Sequence, residues 1–127
     1  MSVHLFHIYT EENNKWQHTL NIQRVELPVM RQVLQELIKN QPAEKNVEAA
    51  GIFNYELELQ EEIIEQIIEK ILLQQQKLEI LDELNKSPTN SETAFYDQEE
   101  LRDVVFRFEK NYLNLKQKIQ TYLLSVL

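Results

Sequence analysis

Along the last third of the chain, apolar side chains recur at Leu101, Val105, Phe108, Tyr112, Leu115, Ile119, Tyr122 and Val126. The steps alternate four and three, the seven-residue repeat that keeps one helix face against a neighbour. Asp97 is placed to cap this helix, Glu100 stands three residues on as its capping-box partner, and Tyr96 can pack against Leu101. The spacing predicts a helix over 97–126. In the middle of the chain the same spacing runs through Phe53, Leu57, Gln60, Ile64, Ile67, Ile71, Gln74, Leu78 and Leu81. It predicts a second helix over about 42–86, opened by Pro42, whose missing N–H costs nothing in a first turn. Two features pull the other way. Gly51 lies inside this helix at a cost of about 1 kcal/mol relative to Ala, and residues 53–59 alternate apolar and polar as a strand does. Helix is the better reading, because a lone strand between helical patterns has no sheet to join.

Trp16, Leu20, Gln23, Leu27, Met30, Leu34, Leu37 and Gln41 carry the repeat straight through Pro28. This predicts a first helix over about 11–40, kinked where the proline removes the hydrogen bond to the Arg24 carbonyl. The alternative is a β-hairpin within 3–27, turning at Glu12-Asn13-Asn14-Lys15. Between the second and third helices, residues 86–96 read as a flexible polar loop around Pro88. The expected fold is therefore all-α: three long helices in an antiparallel bundle or coiled coil, forming a single domain over 1–127.

Length refines the picture. A second helix of about 45 residues is nearly 70 Å long, and the other two are nearer 45 Å. Each flanking helix then covers only part of the second, with overlap around 57–75. There Ile63, Ile64, Ile67, Ile68, Ile71 and Leu72 widen the apolar stripe, as a helix with two neighbours requires. Uneven cover predicts that Val47, Ile52, Tyr55, Leu78 and Ile80 are left partly wet.

Composition narrows the class further. One glycine and three prolines cannot supply the turns of a sheet protein. The absence of cysteine rules out disulfides and thiolate metal sites. The N-terminus lacks the basic and apolar regions of a signal peptide, and no apolar run exceeds three residues, as at 71–73. A cytoplasmic protein without a membrane span is expected. The net charge of −8 argues against nucleic acid, whose affinity comes from neutralised phosphates.

The run Trp16, Leu20, Glu26, Leu34, Glu36-Leu37, Lys39-Asn40, Val47-Glu48, Phe53-Asn54 and Gln60-Glu61 resembles small uncharacterised helical-bundle proteins of the Bacteroidetes over residues 10–70. The resemblance implies helices and brings no activity. The chain departs from that pattern in carrying Pro28 inside the first helix.

Candidate chemistry is sparse. His4, His7 and Glu11 share a helical face and are the one set that suggests a metal, but they span two turns, too far for one ion without a further ligand. No histidine has a glutamate three residues before it, which removes the di-iron bundle pattern. Glu61, Glu62, Glu65 and Glu69 read as a solvated helix flank. The aromatic residues at helical spacing read as core, and there is no phosphate loop or nucleophile motif. Gln60 and Gln74, two heptads apart among Ile64, Ile67, Ile71 and Leu78, are the polar residues of an otherwise apolar seam. Buried polar groups at such positions fix register and partner number; lining a small ligand cavity is the other possibility. The expectation is a non-enzymatic interaction or structural bundle without a cofactor, self-associating, most simply as a two-fold homodimer, or binding another protein. A small-ligand or metal-binding bundle is the alternative.

Overall fold

A computed structural model describes residues 3–84 and 88–126, the side chains of 88–91 excepted. The chain forms three helices, α1 (Val3–Asn40), α2 (Glu44–Glu83) and α3 (Pro88–Val126), and no strand occurs among the described residues. Partner numbers fix the directions. From α1 to α2 they fall: Asn13 meets Gln75, Arg24 meets Glu65, Arg31 meets Glu58, so these helices are antiparallel. From α1 to α3 they rise together: Glu12 meets Arg102, Gln23 meets Glu109, Glu26 meets Lys116, so these run parallel. The bundle is up-down-up.

Why the chain makes these helices is visible in what they bury. In α1 the buried side chains are Tyr9, Asn13, Leu20, Gln23, Leu27, Leu34 and Leu37, with Trp16 and Met30 half-buried in the gaps. In α2 they include Asn46, Ala50, Leu57, Ile64, Ile67, Ile71, Gln74 and Leu78. In α3 they run from Ala94 and Gln98 through Leu101, Val105, Phe108, Tyr112 and Leu115 to Ile119. All three follow the four–three repeat, so each helix presents one narrow stripe to the axis. Ile68 lies beside the α2 stripe and is also buried, as a helix with two neighbours needs. Fully burying one such aliphatic side chain contributes about 1.5–3 kcal/mol.

Two expectations are corrected. α1 starts at Val3 rather than at about 11, because Tyr9 and Asn13 extend the seam upstream of Trp16. Residues 3–27 are helix, as the repeat predicts, so the alternative hairpin does not form, and residues 53–59 lie inside α2 as the preferred reading has it. Finally, α3 begins at Pro88 rather than at 97. Residues 88–96 are therefore helix where a loop was expected, while 85–87 lie outside the described residues. Pro88 suits the first helical position, and Ala94 and Gln98 continue the seam backward from Leu101. Asp97 accordingly sits mid-helix and pairs with Lys77 across α2–α3 at 3.7 Å.

The longer α1 and α3 remove the uneven cover. All three helices are 38–40 residues long, about 57–60 Å each. Leu78 is fully buried, against expectation. Val47, Ile52, Tyr55 and Ile80 are exposed, but because they lie off the seam rather than beyond the end of a neighbour. Elongation shows in the surface: 8312 Å² is accessible, against about 7,100 Å² for a compact monomer of this mass. α1 continues through Pro28, which is exposed. Gly51 is also exposed, with open space where a Cβ would stand, so no packing demand accounts for it.

Candidate functional site

Besides the separate buried amides Gln23 and Asn46, three buried amides, one from each helix, meet at one level of the apolar seam. Asn13, Gln74 and Gln98 are 1%, 4% and 0% exposed. They answer one another. Gln98 donates from Nε2 to Asn13 Oδ1 at 2.8 Å and to Glu12 Oε1 at 2.9 Å. Gln74 donates from Nε2 to Gln98 Oε1 and to the Ala94 carbonyl, both at 3.2 Å. Asn13 donates from Nδ2 to Gln75 Oε1 at 2.9 Å, and Gln75 in turn donates to Thr10 Oγ1 at 3.0 Å. A buried amide without partners costs about 1–3 kcal/mol, so a layer of three is tolerated only because it is closed.

The layer extends to the surface through charge. Arg102 grips Glu12 with Nε at 2.6 Å and Nη2 at 2.9 Å, and also bonds Glu99. The Glu12 hydrogen bonds, above all, hold the Arg102 guanidinium protonated more firmly than usual. Beyond the layer a short apolar cluster of Tyr9, Leu78 and Ala94 closes that end of the bundle. On the other side lies the long cluster from Leu20 to Ile119. The amides thus divide one core into two.

Further polar groups tie α1 to α3. Gln23 donates to Glu109 Oε2 at 2.8 Å, and the Tyr112 hydroxyl donates to Glu26. Lys116 meets the other Glu26 oxygen at 3.0 Å. The Tyr112 bond, then Lys116, holds the Glu26 carboxyl below the usual carboxylate range. Burial, then Glu26, raises the Tyr112 phenol above its ordinary value. At the far end Asn46 donates to the Gln41 carbonyl at 3.1 Å and accepts from the Tyr122 hydroxyl.

The sequence-derived candidates fall out as follows. Gln74 is in the closed layer, with Ile71 and Leu78 buried one turn to either side and Ile64 and Ile67 further along the core. Gln60 is half-buried, and its Oε1 is enclosed without a hydrogen-bond partner. It borders a groove of about 230 Å³ shared with Asn111, Asn114 and Lys118. Gln74 borders another groove, of about 200 Å³, shared with Lys77 and Asp97. Both are smaller than the roughly 300–1,000 Å³ of a small-molecule site. His4, His7 and Glu11 are all exposed, and His7 packs edge-on against Phe6. Among the described residues no group of three or more His, Cys, Asp or Glu side chains is placed to hold a metal. Gln98, the partner of Gln74, and Asn13, which Gln98 bonds in turn, are not singled out by the sequence. The signal was the four–three spacing continued outward, from Trp16 back to Asn13 and from Leu101 back to Gln98. Among the described residues no helix is long and apolar enough to cross a membrane. Comparison with protein-family models, with curated proteins and with solved structures finds no match.

Proposed function

We propose that this chain is a non-enzymatic structural or interaction bundle of the cytoplasm that associates with a second copy of itself. The observation that carries the reading is apolar side chains off the seam. A three-stranded bundle consumes only the inward stripe of each helix, yet Ile22, Val25, Val29, Ile52, Leu73 and Phe106 stand exposed on outward positions. Exposed apolar groups on an acidic, elongated rod, above all the sequence neighbours Ile22, Val25 and Val29 of α1, favour association over isolation. The closed amide layer suits the same role, since it rewards one helix register and so presents the outer faces in a fixed arrangement. Native mass spectrometry of the untagged protein tests the proposal. Twice the 15.2 kDa chain mass is expected. A chain that stays single at every concentration removes the reading, and extra mass equal to a metal or small molecule moves it to ligand binding.

A further inference from the structure

Charge is divided unevenly among the helices. α1 carries Glu11, Glu12, Glu26 and Glu36 against Lys15, Arg24, Arg31 and Lys39, a net of zero. α2 carries eleven acidic side chains against three basic ones, which alone equals the net −8 of the chain. Two copies meeting through α2 would therefore concentrate like charge, whereas two meeting through α1 would not. α1 is also the helix whose central charges are already spent inside the bundle. Arg24 pairs with Glu65, Arg31 with Glu58 and Glu61, and Glu26 with Lys116. What remains outward between Lys15 and Glu36 is uncharged and apolar in its middle. Ile22, Val25 and Val29 are exposed there, Val25 by 68%.

The order of residues on that face is complementary to its own reverse, with apolar side chains in the middle and opposite charges at the two ends. Lys15, Ile22, Val29 and Glu36 follow at seven-residue steps on one line of the helix. His18, Val25 and Gln32 form the line beside it. An antiparallel copy whose two-fold axis passes between residues 25 and 26 sets Ile22 against Val29 of the second copy and, within one residue of exact register, brings Val25 beside Val25 and His18 beside Gln32. It also sets Lys15 against Glu36, twice, at the two ends of a contact about 31 Å long. Lys15 and Glu36 are exposed, and neither has an ion-pair partner within the chain among the described residues. A two-fold contact demands this self-complementarity.

We propose that the outward face of α1, bracketed by Lys15 and Glu36 and centred beside Val25, is the surface on which a second copy of this chain docks antiparallel across a two-fold axis. Phe106 and Leu113 extend the apolar surface on α3, each one helical turn from side chains that reach α1. The inference rests on the self-association proposed above.

Sedimentation equilibrium over a wide concentration range tests it, with helicity and melting followed by circular dichroism. The wild-type chain should fit a monomer–dimer equilibrium. Val25→Glu should weaken it about tenfold or more while leaving the fold intact, because Val25 is exposed on the outward face and a charge beside the axis meets its own copy. Lys15→Glu and Glu36→Lys should each weaken it by a smaller factor. The double exchange K15E/E36K should restore it to within about threefold of wild type, since the pairs re-form with reversed sign. Tyr55→Glu, exposed on α2, should leave the constant unchanged. A dimer indifferent to Val25→Glu, or a double exchange no better than the singles, overturns this face while self-association stands. A wild-type chain monomeric throughout overturns both, and an open series of larger species overturns the two-fold arrangement.

Discussion

The long apolar stretch of the seam and the amide layer beside it occupy equivalent positions on the same three helices, yet they do different physical work. From Leu20 to Ile119 the core is chiefly leucine, isoleucine, valine and aromatic rings, with Ala50 and the separate buried amides Gln23 and Asn46 among them. Sliding one helix by a heptad there would mostly exchange one aliphatic contact for another. At Asn13, Gln74 and Gln98 the same slide would separate three amides that satisfy one another and bury them against leucines. The apolar stretch is therefore expected to supply most of the free energy of folding, and we propose that the layer discriminates among registers at some cost in stability.

Mutations sharpen the contrast. Ile64→Ala or Leu57→Ala, both at fully buried positions, should lower the unfolding free energy by about 2–5 kcal/mol in urea titration and leave the helices aligned. Gln98→Ala should cost less, about 1–3 kcal/mol. It should nevertheless disturb more than its own site, because Asn13, Gln74 and Glu12 each lose a partner; amide exchange should quicken on all three helices near that level. Gly51→Ala touches neither region and sets the scale for a purely local change. With open space around its Cβ position, it should raise stability by about 1 kcal/mol.

The smallest effect is expected at Glu26. Its carboxyl is held below the ordinary value of 4.5 by Tyr112 and Lys116. The folded state thus binds the proton less readily than the unfolded chain. That contribution is fully present above the unfolded pKa and is lost as pH falls through the folded one. Glu26→Gln should lower the melting temperature at pH 7 by no more than about 3 °C, since the pair is partly exposed, and the difference from wild type should shrink as pH falls below the unfolded value and through the folded one.

Much of this was legible before any coordinates. The seam residues of α2 from Leu57 to Leu78 and of α3 from Leu101 to Ile119 follow directly from the repeat, as does the all-helical class. What was missed lay where polar residues occupy seam positions. Glu12-Asn13-Asn14-Lys15 has the composition of a hairpin turn, and the stretch around Pro88 that of a linker. Neither composition reveals that Asn13 and Gln98 find partners on other helices, which is a tertiary fact. Once Asn13 is bonded to Gln98 and Gln75, its reason to leave a helix is gone. Helix length was misjudged for the same reason, and the expected uneven cover went with it. The division of charge between α1 and α2 needed only helix boundaries to be seen.

Calorimetric unfolding of the triple variant Asn13→Val/Gln74→Leu/Gln98→Leu tests the role of the layer most directly. If the amides trade stability for a single register, the variant melts at a higher temperature than wild type, and its transition broadens as alternative alignments become populated. A lower melting temperature with an equally sharp, two-state transition would show instead that the amides are ordinary contributors to stability, and would contradict the account.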